Sequence, residues 1–204
     1  MFVVDDQSIL LKSLTFLLRS EGFATEAYNS AAAFLDGYDP ERPGCLLLDL
    51  QMPDMDGLQL LERLAAKGDC RPVIILTGHG DVASAVRAMK AGAVDFLLKP
   101  FQREALLERI RHAIGLDAEW RRWHREARDV IARLDRLSPR EREVMDLVID
   151  GRSTREIAAQ LSIAVKTVEG LRHAVMDKMQ AHSAVELTRL VDLCRVPHGT
   201  VAAA

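Results

Sequence analysis

Five polar side chains in the first half of the chain follow short apolar segments, and their types suit phosphoryl chemistry. They are Asp5, Asp6, Asp49, Thr77 and Lys99. Three carboxylates held close together repel one another, so such a cluster favours a hard divalent cation, Mg²⁺ or Mn²⁺, bound through oxygens and waters. A phosphoryl group on Asp49 would find oxygen partners in the metal, the Lys99 ammonium and the Thr77 hydroxyl. The alternative is a structural cluster in which Asp5, Asp6 and Lys99 form ion pairs.

The position of Asp49 is set by the stretch around it. The three consecutive leucines 46–48 are typical of a strand buried on both faces of a parallel sheet. Pro53 and Gly57 then predict a loop before the next helical pattern begins near Leu58. Asp49 is therefore expected at the carboxyl end of a central strand, where open α/β sheets bind ligands. The alternative is an aspartate that only caps the following loop.

Residues 1–115 alternate between strand and helix patterns. The predicted strands are Phe2–Val4, Ala24–Tyr28, Cys45–Leu48, Pro72–Leu76 and Ala93–Leu98. Helical patterns begin at Ser8, Ser30, Leu58, Asp81 and Glu104. This alternation predicts an α/β doubly wound, five-stranded parallel sheet with helices on both faces, and the five polar residues then meet at one edge of it. The first strand starts almost at the initiator, which leaves open whether it is truncated.

Five motifs occur in a fixed order along this region. They are Val3–Asp6 (VVDD), Leu48–Gly57 (LDLQMPDMDG), Leu76–Asp81 (LTGHGD), Ala88–Phe96 (AMKAGAVDF) and Leu98–Phe101 (LKPF). Together they resemble the receiver domain of bacterial two-component response regulators, which has the CheY-like, flavodoxin-like form of this fold. The sequence around Thr77 is similar to that of the FixJ branch of this family. His79 is expected to be a polar loop residue.

The resemblance implies a role for each matched residue. Asp49 would accept phosphate from a sensor histidine kinase. The implied metal ligands are Asp6, Asp49 and the backbone carbonyl of Gln51, with Asp5 acting through a water. Lys99 would contact the phosphoryl group. Thr77 and Phe96 would form a switch pair, in which the hydroxyl moves toward the phosphate and the ring turns inward behind it.

Three Ser-x-x-Glu patterns mark helix starts in the last third of the chain. Ser138–Glu141, Ser153–Glu156 and Ser183–Glu186 each fit a capping box, in which serine and glutamate satisfy free backbone N–H groups. Another helical pattern covers Val165–Gln180. The segment therefore predicts four helices, and the short turn Ser162–Ala164 between the second and third is typical of a helix-turn-helix.

The third of these helices has two distinct faces. Its predicted buried stripe is Val165, Val168, Leu171, Val175 and Met179. Its other face contains Lys166, Thr167, Glu169, Gly170, Arg172 and His173. An α-helix fits the DNA major groove, where such side chains reach base edges and phosphates. The spacing alone also fits a solvated face of an all-helical domain.

Further motifs in this segment are Leu137–Val144, Gly151–Leu161, Lys166–Glu169, Arg172 and Lys178–Met179. They look like the LuxR-type DNA-binding domain of NarL and FixJ regulators. Three residues depart from the pattern: Ala164 stands where Ser or Thr is usual, Leu171 stands where His is usual, and Gly170 weakens the helix interior. The resemblance also implies that the last helix pairs with its copy in a DNA-bound homodimer. Its apolar stripe is Val185, Leu187, Leu190, Val191 and Leu193.

Residues 116–136 connect the two segments without any Pro or Gly. Apolar residues recur there at heptad spacing: Leu116, Trp120, Trp123, Ala127, Val130, Leu134 and Leu137. A continuous helix is expected, with a kink at Gly115. Its apolar seam could pair between two chains, or fold onto the receiver or the C-terminal segment of its own chain. The expected division is 1–115, receiver; 116–136, helical linker; 137–195, DNA-binding domain; and 196–204, tail.

Composition and charge set the remaining limits. The net charge is −4 over residues 1–115, +1 over 116–136 and 0 over 137–204, so charge alone does not indicate nucleic acid. No apolar run reaches the ~20 residues that span a bilayer, no secretion signal is visible, and three scattered cysteines fit reduced cytosolic thiols. We predict a cytoplasmic, non-membrane response regulator that is not an enzyme and in which phosphorylation controls promoter binding, with RNA polymerase as a candidate contact. The alternatives are an enzyme-like phosphotransfer receiver and one whose C-terminal helices bind protein.

Overall fold

The computed structural model describes residues 1–78 and 82–195. The predicted loop residue His79, the predicted helix start at Asp81 and the tail 196–204 lie outside the described residues. The chain divides into two compact units between Arg121 and Arg122. Within the described ranges, no helix is both long and apolar enough to cross a membrane.

The first unit is built on a parallel sheet. Its strands are β1 (Phe2–Val4), β2 (Glu26–Tyr28), β3 (Leu46–Asp49), β4 (Val73–Thr77) and β5 (Asp95–Leu98). Its helices are α1 (Ser8–Ser20), α2 (Ala31–Asp36), α3 (Gly57–Ala66), α4 (Val82–Lys90) and the first part of α5 (Arg103–Leu134). The strand order is β2-β1-β3-β4-β5, and every neighbouring pair is parallel. The predicted doubly wound α/β fold is confirmed.

Alternate residues of the sheet contribute to two hydrophobic cores. Leu48 and Ile75 pack with residues of α2, α3 and α4, whereas Leu47 and Ile74 pack with residues of α1 and α5. Both faces of β3 and β4 are therefore covered, which is why their sequences are continuous apolar runs rather than alternating ones. The helices leave the carboxyl edge of the sheet open, where the polar strand ends lie.

α1 begins at Ser8, where the helical pattern begins in the sequence. Its N-cap is Gln7, which makes no side-chain cap bond. Ile9 is apolar but 82% exposed. The reason is that the buried side of the helix follows another line of residues: Leu11, Leu14 and Leu18.

The second unit is helical in the part of the chain that the structure describes. It contains the end of α5 and then α6 (Pro139–Ile149), α7 (Thr154–Leu161), α8 (Val165–Met179) and α9 (Ala184–Arg195). The capping boxes predicted at Ser138 and Ser153 are confirmed. The third start differs: the backbone N–H of Glu186 donates to Ser183 Oγ, but the Glu186 carboxylate accepts from the backbone N–H of His182.

The second half of the heptad seam belongs to the core of the second unit. Val130, Leu134 and Leu137 pack with residues of α6, α7, α8 and α9. The backbone carbonyl of Ala127 accepts a hydrogen bond from Cys194 Sγ at 3.7 Å. The hypothesis of a seam that pairs between chains is therefore wrong for this half, and the alternative of packing onto its own C-terminal segment is confirmed.

The first half of the seam lies in the same helix. α5 is assigned as helix through Gly115 without a break, at the point where a kink was expected. Leu116, Trp120 and Trp123 are half-buried within the single chain. For these three residues, pairing between chains stays a prediction.

Candidate functional site

Lys99 joins two carboxylates at the carboxyl edge of the sheet. Its Nζ donates to Asp5 Oδ2 at 2.7 Å and to Asp49 Oδ1 at 2.9 Å. Asp5 follows β1, Asp49 ends β3 and Lys99 follows β5, so three strands bring these groups together as the strand pattern predicts. Asp5 is 0% exposed and Asp49 is 2% exposed. The two ion pairs are therefore shielded from water. Charges interact more strongly in such a buried environment than at the surface.

The Asp6 carboxylate completes an acidic cluster. Carboxylate oxygens of Asp5, Asp6 and Asp49 lie within 4.8 Å of one another, and Asp6 is the exposed member. Asp49 Oδ2 is buried and has no hydrogen-bond partner among the described residues. A buried carboxylate oxygen is destabilising unless a cation or a donor reaches it. This anionic, oxygen-only set of donors fits a hard divalent cation such as Mg²⁺.

Burial and charge act in opposite directions on the two central groups. Burial raises the pKa of Asp49, the Lys99 ammonium lowers it, and the carboxylates of Asp5 and Asp6 raise it again, so that the pKa ends above its usual value. Burial lowers the pKa of Lys99, but its hydrogen bonds to Asp5 and Asp49 raise that pKa above its usual value. A divalent cation in the cluster would lower the pKa of Asp49 and favour its anionic form.

Thr77 and Phe96 lie on neighbouring strands. Thr77 ends β4 and is 4% exposed. In the β4–β5 ladder, Ile75 is opposite Phe96 and Thr77 is opposite Leu98. Since residues two apart on a strand point to the same face, the Thr77 and Phe96 side chains share one face of the sheet. Phe96 packs there against the core formed with α2, α3 and α4.

A cavity of about 490 Å³ opens beside the cluster. Three predicted site residues line it: Asp6, Gln51 and Thr77. Three residues that the sequence pattern did not single out also line it: Asp56, Ser84 and Arg87. Asp56 was detectable as the N-cap of the Asp56–Gln59 capping box that starts α3. Ser84 and Arg87 share a helix face, but only the folded structure shows that this face borders the cavity.

Gly57 lets the loop after β3 close tightly on Asp49. A Cβ on Gly57 would lie 2.2 Å from the Asp49 carbonyl oxygen and 3.0 Å from the Asp49 carbonyl carbon. The Gly57 N–H also donates to the carbonyl of Leu50 at 2.9 Å. Any larger residue would therefore displace the backbone that carries the central carboxylate.

α8 presents the predicted nucleic-acid face. Of the predicted contacts, Arg172 is half-buried and the others are exposed: Lys166, Thr167, Glu169, Gly170 and His173. The opposite side is anchored by Val168, Val175 and Met179, which are buried. Val165 was predicted in that stripe but is 42% exposed, because it is the first residue of α8 and lies at the edge of the core. As the sequence implied, the N-cap Ala164 makes no side-chain cap bond.

The connection between α7 and α8 has the geometry of a helix-turn-helix. Ser162 ends α7 in a left-handed conformation, with φ 53° and ψ 44°. Its N–H donates to the carbonyl of Ala159 at 3.3 Å, and the Ile163 N–H donates to the carbonyl of Ala158 at 3.1 Å. These bonds close the last turn and redirect the chain into α8 within three residues.

The apolar stripe of α9 lies mostly inside its own unit. Leu187 and Val191 are buried, and Leu190 and Leu193 pack partly against the same core. Val185 is 80% exposed. Val185 is therefore the one residue of the predicted stripe whose side chain has a large exposed surface that a second copy could bury.

Two families match the chain, one for each unit. The response regulator receiver domain matches residues 1–111, and the family of bacterial regulatory proteins called luxR matches residues 135–191. Transcriptional regulatory protein FixJ of Bradyrhizobium diazoefficiens is 45% identical over 189 residues, which are 93% of this chain and 92% of the relative. The chain is a response regulator of the NarL/FixJ family. Response regulator protein TmoT of Ectopseudomonas mendocina is a further relative of this response regulator, 38% identical over 94% of the chain and 87% of its own length.

Solved structures of other regulators share the fold. The low-resolution structure of response regulator StyR is similar to this response regulator with a TM-score of 0.78 and 42% identity, and the match covers 94% of this chain and 96% of that one. Full-length FixJ from B. japonicum matches with a TM-score of 0.58 and 44% identity, over 95% and 96%. This response regulator thus combines a receiver with a LuxR-type DNA-binding domain, and it belongs to a family of phosphorylation-controlled transcriptional regulators. The luxR-family match favours DNA binding over the alternative of a protein-binding helical segment.

Proposed function

We propose that Asp49 is the phosphoacceptor of this response regulator and that its phosphorylation by a sensor histidine kinase controls binding of α8 to promoter DNA. The observation that carries the proposal is the Lys99 ammonium held between Asp5 and Asp49, beside the unpaired Asp49 Oδ2. A carboxylate with one oxygen paired and the other open can attack phosphorus as a nucleophile. The ammonium is already in place to neutralise the negative charge that a phosphoryl group brings.

The acidic cluster would hold Mg²⁺ or Mn²⁺. We assign Asp6, Asp49 and the Gln51 backbone carbonyl as its protein ligands, with Asp5 acting through a water. The short distances between the three carboxylates support this assignment, as does the position of Gln51 on the same cavity as Asp6. A cation held by these residues would supply positive charge next to the phosphoryl oxygens.

Thr77 and Phe96 would respond to the phosphorylated state. The Thr77 hydroxyl would turn toward a phosphoryl oxygen, and the Phe96 ring would fill the space behind it. Their shared sheet face supports this pairing. The backbone also links them to the site, since the Lys99 N–H donates to the Thr77 carbonyl at 2.7 Å.

α8 would enter the major groove of promoter DNA. We assign the contacts to Lys166, Thr167, Glu169, Gly170, Arg172 and His173. Lys166, Gly170 and His173 lie opposite the buried anchor of the helix, whereas Arg172 is half-buried at the border of that anchor. Gly170 has open space where a Cβ would stand, so a phosphate or a base edge can approach the helix backbone closely there. Two basic residues on this face, Lys166 and Arg172, would supply phosphate or base contacts in a domain with no net charge.

The remaining assignments follow from the two domains. The proposed partners are a sensor histidine kinase and promoter DNA, with RNA polymerase as a candidate contact, and phosphorylated copies would form a homodimer on an operator with two related half-sites. The regulator would act in the cytoplasm, away from membranes, and not as an enzyme. The functional boundaries are those of the sequence patterns: 1–115, receiver; 116–136, linker; and 137–195, DNA binding.

The substitution Asp49→Asn tests the proposal. It removes the nucleophile and nearly keeps the shape, so the fold should persist while labelling by radioactive acetyl phosphate is lost. Mobility shifts of promoter DNA, with and without acetyl phosphate, should then show a phosphodonor response in the wild type but not in Asp49→Asn. Asp54→Asn is the matched control, because Asp54 is exposed in the loop after β3 and has a φ of 66° that asparagine tolerates. Label retained by Asp49→Asn, or lost equally in both variants, would contradict the assignment.

A further inference from the structure

Beyond the receiver core, α5 carries a buried charge that the proposed phosphoryl and DNA sites do not use. Asp117 is 5% exposed. Its Oδ2 accepts a hydrogen bond from the backbone N–H of Gly44 at 2.9 Å. Arg121 lies one helical turn later, and its Nε donates to Asp117 Oδ1 at 2.9 Å. The carboxylate is thus satisfied from two sides, by the helix and by the segment that leads into β3.

Arg121 extends this contact along the 40–44 loop, the residues that precede Cys45 and β3. Its Nη1 donates to the carbonyl of Glu41 at 2.9 Å, and its Nη2 donates to the carbonyl of Arg42 at 2.6 Å. A longer bond of 3.3 Å joins Nη2 to the carbonyl of Pro40. The planar guanidinium of arginine holds its N–H donors in a fixed arrangement, so it can bind several carbonyls at once. A lysine ammonium could not reproduce this geometry.

These contacts lie just beyond a weak point of the helix. Gly115 is exposed in the interior of α5, and nothing lies within 4 Å of the position that its Cβ would take. Glycine is a poor helix former and loosens the backbone where no packing holds it. The last buried apolar residue of α5 in the receiver core is Ala113. Asp117 and Arg121 therefore resume contact with the receiver on the far side of Gly115.

We propose that Asp117 and Arg121 are positioning residues that fix α5 to the 40–44 loop, so that a change in the phosphorylated receiver is passed along α5 instead of being absorbed at Gly115. Further along, the same helix contributes Val130 and Leu134 to the core of the second unit, which makes α5 the covalent route between the two domains. The proposal rests on the proposed function, because it concerns the delivery of that signal.

The test uses the full-length protein with acetyl phosphate as phosphodonor and promoter DNA as ligand. Arg121→Ala should speed hydrogen exchange of the backbone amides in residues 40–45 and leave the rate of aspartyl-phosphate formation unchanged. The gain in DNA affinity on phosphorylation should fall about tenfold, within the range typical of coupling between sites. Arg122→Ala, which removes the neighbouring exposed arginine, is the matched control and should behave as the wild type.

A second variant separates coupling from simple support of the loop. Adding Gly115→Ala to Arg121→Ala stiffens the helix without replacing any contact to the 40–44 loop. The double variant should regain part of the DNA response while its loop amides still exchange fast. An unchanged response in Arg121→Ala, an equal loss in Arg122→Ala, or a parallel loss of aspartyl phosphate would overturn the proposal. If the wild-type protein is not phosphorylated by acetyl phosphate, the proposed function is contradicted. If phosphorylation raises the DNA affinity of the wild type and of Arg121→Ala equally, only this inference is contradicted.

Discussion

The Lys99 ammonium is shared by two of the three carboxylates in the acidic cluster. Lys99→Ala should leave Mg²⁺ affinity unchanged or raised, because it removes positive charge next to the proposed cation site. Activation should fall, since the phosphoryl group loses a charged hydrogen-bond donor. Titration calorimetry with Mg²⁺ and the phosphodonor-dependent DNA shift measure the two effects. Lys90→Ala, an exposed lysine of α4, is the control, and a large loss of Mg²⁺ affinity with normal activation would refute the assigned role.

Gly57 is a residue at which added volume would directly displace Asp49, the proposed phosphoacceptor. Gly57→Ala should destabilise the receiver by about 1–3 kcal/mol or more, as overpacking does, because its Cβ would meet the Asp49 carbonyl oxygen at 2.2 Å. Gly115→Ala is the control, since open space surrounds that position in the helix. It should stabilise the protein by about 0.5–1 kcal/mol. Calorimetric scans of both variants measure the opposite shifts, and a Gly57→Ala receiver as stable as the wild type would show that the loop relaxes freely.

α8 is the element on which the proposed DNA contacts converge. Lys166→Ala and Arg172→Ala should each weaken promoter binding, by about 1–3 kcal/mol where the lost contact is to a base edge. Where it is to a phosphate, the salt dependence should also lose about one unit of slope. Arg189→Ala removes an exposed basic residue of α9 and should change neither quantity. Equal affinity of all three variants and the wild type across a salt series would place the DNA surface elsewhere.

α6 is joined to the end of α8 by a charged pair that responds to pH. Lys178 Nζ donates to both oxygens of Glu141 at 2.7 and 2.8 Å, and these bonds, with that from the Ser138 backbone, lower the pKa of Glu141 below its ordinary value of 4.5. A lowered pKa in the folded state means that the carboxylate stabilises the fold above its ordinary pKa and loses that contribution as pH falls through the lowered pKa.

The substitution Glu141→Gln should therefore destabilise the DNA-binding unit at neutral pH, and the difference from the wild type should shrink as the pH falls below the ordinary glutamate pKa of 4.5 and through the lowered pKa of Glu141. Denaturant unfolding at several pH values measures the difference. Glu143→Gln is the matched control, because Glu143 forms an exposed surface pair with Arg140 and such pairs contribute little. A difference that persists unchanged at low pH would show that the charge on Glu141 is irrelevant.

At the level of the whole molecule, dimerisation on DNA should depend on the exposed part of α9. Val185→Glu should leave the stability of the monomer unchanged, because Val185 is 80% exposed. It should weaken binding to an operator with two half-sites, since a charge would have to be buried between two copies. Binding to DNA with a single half-site is the internal control and should not change. Normal binding of Val185→Glu to the full operator would exclude this face from the dimer.

Local signals in the sequence were sufficient for the sheet and for the convergence of Asp5, Asp49 and Lys99. A continuous apolar strand such as β3 has to be covered on both faces, and parallel strands place their carboxyl ends at one edge. The helix starts at Ser138 and Ser153 could also be predicted from the sequence, because all the residues of a capping box lie within four positions of the chain. Each of these inferences uses groups close in the chain or a rule that applies to every parallel sheet.

Contacts between distant segments were decided by folding. An amphipathic stripe shows that a face will be buried but not which surface buries it. The second half of the heptad seam packs inside its own unit, and Val165, at the end of such a stripe, stays exposed. The sequence pattern alone did not distinguish these outcomes. Arg121 binds the backbone carbonyl of Arg42, a residue 79 positions away. Every residue has the same backbone carbonyl, so the sequence does not indicate which one Arg121 will bind. Its role emerges only when the loop and the helix are brought together, because the hydrogen bonds depend on where the backbone lies and not on which side chains it carries.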